Sequence, residues 1–166
     1  MINTIQIDTR EKAHAIEKIL REFDARGIQH FSSKLFVGDY MNMDNPKVIV
    51  DRKQNLSELC GNVGQQHERF RAEIERATAC GIHLIFLCEH GKGIKSIEDV
   101  PKWWNPRLKY SPVAITGKKL YRILKTLEEK YGVEFLFCSK DETAQRIIEL
   151  LEAQNEETHH AGKSPD

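Results

Sequence analysis

Two aspartates and a lysine occur at a spacing that suits metal chemistry. Asp39 precedes the segment 44–46, which reads Asp-Asn-Pro, while Asp51 and Lys53 follow the apolar run 48–50. Asp-Asn-Pro favours a turn, and the β-branched Val-Ile-Val run favours a strand. We therefore expect a β-hairpin that carries all three charged side chains.

The register of this predicted hairpin determines which side chains meet. A turn at 44–46 would place Asp39 opposite Asp51. Side chains alternate along a strand, so Lys53 would share the face of Asp51 and Arg52 would point the other way. Opposed carboxylates repel each other, and a hard divalent cation between them removes that repulsion. The pattern predicts a Mg²⁺ or Mn²⁺ site; a polar hairpin with its charges in water is the alternative.

Such a site could hydrolyse a phosphodiester. Two carboxylates hold the ion and leave positions for water and phosphate. The ion polarises a phosphoryl oxygen and lowers the pKa of bound water. A lysine beside it can orient the water or stabilise charge that develops on the phosphorus centre. Charged triples are common in proteins, so the spacing needs support from the rest of the chain.

The rest of the chain alternates predicted strands and helices. Strands are expected at 4–8, 28–37, 82–88 and 133–138. Helices are expected between Asp8 and Gly27, at 56–63, at 65–80, from Thr116 and from Ser139. This order favours an α/β fold with a mixed sheet and helices on both faces. We expect one domain over 1–153 and a polar, disordered tail over 154–166.

Asp8 and Glu11 admit two interpretations. An aspartate followed three residues later by a glutamate fits a capping box at the start of the first helix. The same two acids could instead lie near the predicted metal site. The local pattern leaves both roles open.

Charge and cysteine content limit the classes of protein. With 25 basic and 25 acidic residues, a uniformly basic nucleic-acid coat is excluded. Residues 91–125 nevertheless hold nine Lys or Arg against two acids, which suits either phosphate contact or a solvated face. The four cysteines show no zinc spacing, and Cys88 and Cys138 lie in apolar runs as expected of buried thiols. We expect no signal peptide or membrane span, and a cytoplasmic location in a bacterial host, with a phage-encoded origin also possible.

Three ordered motifs resemble the nuclease domain of the XPF/Mus81 endonuclease family, also called the ERCC4 domain. They are 7–11 (Ile-Asp-Thr-Arg-Glu), 38–39 (Gly-Asp) and 51–53 (Asp-Arg-Lys). The resemblance covers roughly residues 4–150. The chain is also similar in length and pattern to short stand-alone members of the family from bacteria and phages. It implies a restriction-endonuclease-like PD-(D/E)xK fold and metal-dependent cleavage of branched or flapped DNA, in repair or recombination.

The resemblance also implies roles for single residues. Asp39 and Asp51 would be the principal metal ligands, and Lys53 the catalytic lysine. Asp8 and Glu11 would add acidic groups at the edge of the metal site. Two more residues of the motifs would contact phosphate or brace the carboxylates, namely Arg10 and Arg52.

The sequence departs from the family pattern in two ways. The family's Glu-Arg-Lys triplet is Asp51-Arg52-Lys53 here, and aspartate is one methylene shorter but still a competent ligand. The family usually carries a tandem helix-hairpin-helix module after the nuclease domain, and we expect this protein to lack it. Grip on the substrate would then come from this domain, from its dimer or from another protein.

Further residues could contact DNA or a partner. A basic group on the helix from Thr116 could hold phosphates or simply face water: Lys118, Lys119, Arg122 and Lys125. Trp103-Trp104 could stack on an unpaired base or anchor a loop. The resemblance implies pairing of nuclease domains through their late helices, for which 120–127 and 147–151 could supply the surface or could be core. A non-catalytic DNA-binding or scaffold subunit is the rival to the enzyme.

Overall fold

The computed structural model describes the backbone of residues 1–160 and the side chains of residues 1–152. Its six-stranded mixed sheet has the order β2-β1-β3-β4-β5-β6. The strands are β1 (Thr4–Ile7), β2 (Gln29–Ser32), β3 (Tyr40–Asn42), β4 (Asn45–Lys53), β5 (His83–Cys88) and β6 (Glu134–Phe137). β3 is antiparallel to both of its neighbours, β1 and β4. The other three pairings are parallel: β1 with β2, β4 with β5, and β5 with β6.

Five α-helices cover the sheet. They are α1 (Glu17–Ala25), α2 (Leu56–Val63), α3 (His67–Ala79), α4 (Gly117–Tyr131) and α5 (Thr143–His160). Short 3-10 turns occupy Ala13–Ala15, Ile97–Lys102, Pro106–Lys109 and Lys140–Glu142. One core lies between the sheet and α2, α3 and α4, and the other between the sheet and α1 and α5. The predicted mixed sheet with helices on both faces is confirmed.

Most helix ends follow the predicted chemistry. The Thr116 side chain accepts the backbone N–H of Lys119 at 3.2 Å and so caps α4. Ser139 and Glu142 form a complete capping box before α5. The predicted helix at 65–80 is α3, which buries Phe70 and Ile74 as expected.

The predicted strand at 28–37 is too long, because β2 ends at Ser32. β2 is an edge strand that pairs only with the four residues of β1. The chain must then cross from one side of β1 to the other to form β3, which no continuous strand can do. Leu35 and Val37 remain buried in this crossing segment, so the apolar pattern reflects burial and was wrongly attributed to a strand.

The predicted turn at 44–46 is also wrong. Asn42 pairs with Asn45, so Met43 and Asp44 form the turn and Pro46 belongs to β4. The register shifts between Met41 and Asn42, as at a β-bulge, where a strand tolerates proline. Beyond the shift the pairs are Tyr40 with Val50 and Met41 with Ile49, which is the predicted register.

Most apolar residues of the late helices belong to the core of this chain. Leu120 and Leu124 of α4 are fully buried, and the exposed fraction of Ile147 and Leu151 of α5 is at most 1%. These side chains therefore do not supply the dimer surface considered for 120–127 and 147–151. The three buried cysteines include Cys88 and Cys138, as predicted.

The backbone beyond His160 and the side chains beyond Glu152 lie outside the described residues, so the predicted domain end at 153 and tail at 154–166 stay predictions. Among the described residues, no helix combines the length and apolar character that a membrane crossing requires.

Candidate metal and nucleic-acid site

The hairpin of β3 and β4 brings Asp39 and Asp51 to one end of the sheet. The backbone N–H of Asp39 donates to the carbonyl oxygen of Val50 at 2.9 Å. The N–H of Arg52 donates to Asp39 Oδ2 at 2.8 Å, so the two strands fix that carboxylate. Asp39 and Asp51 are 8% and 4% exposed. Continuation of the Tyr40–Val50 pairing places these two residues opposite each other, as the sequence predicts.

Gly38 is required for this placement. Its backbone φ is +67°, a value that residues other than glycine rarely adopt. A Cβ built on Gly38 would lie 2.3 Å from Cγ2 of Ile49, which is far inside van der Waals contact. The glycine before Asp39 therefore allows the chain to pass directly over β4.

Lys53 joins the two aspartates on the same face. Its Nζ lies 3.2 Å from Oδ1 of Asp51 and 5.6 Å from the ring centre of Phe70. Burial lowers the pKa of Lys53, but Asp51 and other nearby carboxylates outweigh burial and raise it above its ordinary value. Lys53 is therefore a positively charged ammonium at neutral pH.

Glu73 of α3 is a further acid of this site, and the sequence analysis missed it. Its Oε1 accepts the N–H of Gly38 at 3.1 Å. Burial raises the pKa of Glu73, but its interactions with Asp51 and with the Gly38 N–H outweigh burial and lower that pKa. Glu73 follows Phe70 by three residues and precedes Ala77 by four, so it lies on the apolar face of α3. A charged residue within an inward-facing stripe is the signal that could have identified it.

The electrostatics of this acid cluster favour a cation or a shared proton. Burial, followed by the charge of Glu11, raises the pKa of Asp39 to about 7. Burial, followed by the charge of Asp39, raises the pKa of Asp51 well above its ordinary range. The charge of Glu73 also raises the pKa of Asp51, so these neighbouring carboxyl groups favour retention of one proton between them. A bound cation could replace that proton.

The donor set fits an ion that takes few protein ligands. Within the described residues, no three His, Cys, Asp or Glu side chains are arranged so that they could hold a metal ion. Mg²⁺ is commonly bound by one or two carboxylates together with water and substrate phosphates. Asp39 and Asp51 match that smaller requirement.

Asp8 shapes the segment beside the site, and the capping-box interpretation of Asp8 and Glu11 does not hold. Asp8 Oδ1 accepts the N–H of Leu35 at 2.8 Å, and Oδ2 accepts the N–H and Nε–H of Arg10 at 2.9 and 2.6 Å. Burial raises the pKa of Asp8, but these hydrogen bonds outweigh it and lower the pKa overall. α1 begins only at Glu17, so neither acid caps it.

Arg52 is the centre of a buried ion cluster on the opposite face of β4. Its Nε and Nη2 donate to the two oxygens of Glu11 at 2.9 and 2.6 Å, and Nη1 donates to Glu89 Oε1 at 2.5 Å. The other oxygen of Glu89 accepts the Thr143 hydroxyl at 2.6 Å, which ties β4 to α5. Of the two roles predicted for Arg52, the structure supports the bracing of carboxylates.

The structure thus brings together some predicted site residues and separates others. Asp39, Asp51 and Lys53 form one cluster. Glu11 influences Asp39 electrostatically but is hydrogen-bonded to Arg52. Arg10 is bonded to Asp8 and to the carbonyl oxygen of Gly38, and its side chain is 53% exposed. Glu89 lies directly after the apolar run of β5, and the sequence pattern predicted no role for it.

The basic group on α4 is largely at the surface. Lys118, Lys119 and Arg122 are exposed. Lys125 is half-buried, and its Nζ lies 3.9 Å from Oε1 of Glu98 and 3.8 Å from Oε1 of Glu128. This placement is compatible with both predicted alternatives, phosphate contact and a solvated face.

Comparison with known proteins identifies the family. The family model of the ERCC4 domain matches residues 7–151. No curated protein matches the chain. XPF from Aeropyrum pernix has a similar structure, with a TM-score of 0.64 and 20% identity over 92% of this chain and 65% of that chain. XPF from Aeropyrum pernix in complex with DNA gives a TM-score of 0.65 and 20% identity over 93% of this chain and 66% of that chain.

The present chain spans just under two thirds of the length of these XPF chains. At 20% identity they share its fold, and the family match extends over most of its length. The three motifs that resemble the family occur on β1, on the segment before β3 and on β4, around one end of the sheet. The chain therefore belongs to the ERCC4 domain family and has an XPF-like nuclease fold.

Proposed function

We propose that this protein is a metal-dependent DNA endonuclease that cleaves branched, flapped or junction DNA. The observation that carries the proposal is the cluster of Asp39, Asp51 and Lys53 on one face of a hairpin in an ERCC4-family chain. Membership of a family of nucleases supports the reaction class. The preference for branched DNA rests on the family resemblance.

Asp39 and Asp51 would hold the Mg²⁺ or Mn²⁺ ion. When bound, that ion would polarise a phosphoryl oxygen and lower the pKa of an attacking water. The backbone N–H of Arg52 keeps Asp39 in place, and Glu73 does the same for Gly38. Glu73 is thus a positioning residue in this proposal.

The charge on Lys53 defines what it contributes. Because its pKa is raised, Lys53 would act as a hydrogen-bond donor and positive charge, and not as a general base. An ammonium in a partly buried site stabilises negative charge on a phosphoryl oxygen more strongly than it would in water. Arg10, whose side chain is half exposed, could hold a neighbouring phosphate.

The alternative is a non-catalytic DNA-binding or scaffold subunit. A subunit of this kind would bind branched DNA without cutting it, alone or as part of a dimer or a heteromer.

A cleavage panel distinguishes the two functions. Flap, fork, Holliday-junction and plain duplex substrates are incubated with the protein in Mg²⁺, in Mn²⁺ or in EDTA. We expect cleavage of a branched substrate with either ion and none in EDTA. Asp39→Asn, Asp51→Asn and Lys53→Ala should abolish cleavage while the fold is retained.

Asp44→Asn is the matched control. Asp44 is an exposed aspartate in the turn of the same hairpin. Its substitution should leave cleavage unchanged. Normal cleavage by Asp51→Asn would contradict the proposed mechanism, and binding without cleavage under all conditions would favour the scaffold function.

A further inference from the structure

A groove lies next to the strand end that carries Lys53 and is not used by the proposed reaction. Its volume is about 720 Å³, and it begins at Gln54 and Asn55, directly after Lys53. Glu89, which holds Arg52, also lines it. The groove is therefore connected to the hairpin both along the chain and through a side-chain contact. We call it the Trp104 groove.

Two tryptophans line this groove and differ in their surroundings. Trp103 packs against the core between the sheet and α2 to α4, and its ring meets that of His90 edge-on at 6.0 Å. Trp104 is 59% exposed. Of the two roles predicted for this pair, Trp103 fills that of the anchor, and Trp104 offers an aromatic surface to solvent.

The segment that carries Trp104 is held in place from both sides. Asn105 is 2% exposed, and it donates to the carbonyl oxygen of Ile115 at 2.9 Å. A Cβ on Gly117 would lie 2.4 Å from the carbonyl oxygen of Trp103, so the start of α4 packs directly on this segment. An aromatic platform supported in this way loses little conformational entropy when a ligand binds.

Three lysines give the groove a positive lining. They are Lys92, Lys102 and Lys140. Lys92 lies in a tight turn closed by the N–H of Ile94, which donates to Gly91 at 3.0 Å. Lys102 is 79% exposed and only loosely paired with Asp99 at 3.5 Å. The one acidic residue of the lining, Glu89, is already bonded to Arg52 and Thr143.

We propose that the Trp104 groove binds an unpaired nucleotide of a single DNA strand, with its base stacked on Trp104 and its phosphates near the three lysines. Aromatic stacking together with basic side chains is the general means of holding single strands. The volume lies within the range of small-molecule sites, roughly 300–1,000 Å³, which suits a nucleotide. This inference deepens the proposed function, because a single-strand subsite beside the cleavage site would select flaps and forks.

Tryptophan fluorescence gives a test that does not depend on cleavage. The chain has two tryptophans, so Trp103→Phe leaves Trp104 as the only indole. The full-length variant is titrated in EDTA with a thymidine oligonucleotide, with an abasic strand of equal length and with a blunt duplex. We expect the oligonucleotide to quench Trp104 emission, and the abasic strand and the duplex to quench it far less.

Affinity measurements on variants complete the test. Trp104→Ala should weaken binding of the thymidine strand by about 5- to 150-fold, the range expected when one stacked base is lost. Tyr110→Ala is the matched control, since Tyr110 is 85% exposed and lies outside the groove. Lys102→Ala combined with Lys140→Ala should reduce the salt dependence of binding.

The outcomes separate this inference from the proposed function. Unchanged Trp104 emission, equal quenching by the duplex, or equal affinity of Trp104→Ala and Tyr110→Ala would each overturn the groove assignment. Single-strand binding at Trp104 without any cleavage would support the groove and count against the nuclease. Cleavage of flaps with unaltered strand affinity in Trp104→Ala would support the nuclease and count against the groove.

Discussion

Substitution of Arg52 by methionine tests the buried ion cluster. Arg52 forms three charge-assisted hydrogen bonds with Glu11 and Glu89, at distances between 2.5 and 2.9 Å. The three side chains are 10%, 5% and 6% exposed. Methionine is of similar length and apolar, so Arg52→Met mainly removes the charge and the three donors. Both carboxylates would then remain buried without a cation.

The expected loss of stability is large. Removal of one partner from a buried ion pair costs about 3–5 kcal/mol, because the remaining charge is left uncompensated. Two carboxylates share Arg52, so we expect a value near the upper end of that range. At about 2 kcal/mol per molar of urea, the midpoint of unfolding should fall by roughly 2 M.

Equilibrium urea unfolding, followed by far-ultraviolet circular dichroism, measures this loss. The matched control is Arg26→Met, which breaks a pair with Glu22 at 2.8 Å whose partners are 38% and 42% exposed. Such surface pairs contribute about 0.2–1 kcal/mol. Adding Glu89→Gln to Arg52→Met should restore part of the stability. Equal losses for Arg52→Met and Arg26→Met would refute the argument that Arg52 stabilises a buried cluster.

Three other expectations concern the hairpin. Gly38→Ala should lower the free energy of unfolding by at least about 1–2 kcal/mol, the cost of a left-handed residue, and the clash with Ile49 adds to it. Gly27→Ala, with a similar φ and open space, is the control in urea unfolding; it should show the left-handed cost alone, and an equal loss for the two variants would contradict the clash. In EDTA, the free energy of unfolding should fall as pH rises from about 4 to 7. The pKa of Asp39 is raised to about 7 in the folded state, so over this range the folded protein holds a proton that the unfolded chain releases. Asp39→Asn should flatten that pH profile, and an unchanged profile would contradict the assignment. Glu73→Gln should weaken Mn²⁺ binding several-fold in calorimetry, whereas Glu75→Gln on the exposed side of α3 should not.

Periodicity and turn chemistry predicted the part of the site that lies on one hairpin. The alternation of β4 gave the shared face of Asp51 and Lys53, and the register that places Asp39 opposite Asp51 was correct. The turn itself was misplaced, yet the bulge after Met41 absorbs the difference before the site is reached. Local sequence therefore determined the geometry of the charged pair even though one detail of the hairpin was wrong.

Contacts between distant segments could not be predicted in this way. Glu73 reaches Gly38 from α3, and Glu89 reaches Arg52 from the end of β5. Both contacts depend on how the helices and strands pack, which periodicity does not specify. The role of Glu11 was missed for the same reason, because the pattern of a capping box is local and its actual partner, Arg52, is 41 residues away.

A Mn²⁺-soaked crystal, examined by anomalous diffraction, shows whether the hairpin binds a metal ion. We expect one anomalous peak within about 2.2 Å of a carboxylate oxygen of Asp39 and of Asp51, on the face of β4 that carries Lys53. The same peak should be absent from crystals of Asp51→Asn. A peak elsewhere with the two aspartates unliganded, or no peak at a saturating concentration of Mn²⁺, would contradict the claim that this hairpin holds a catalytic ion.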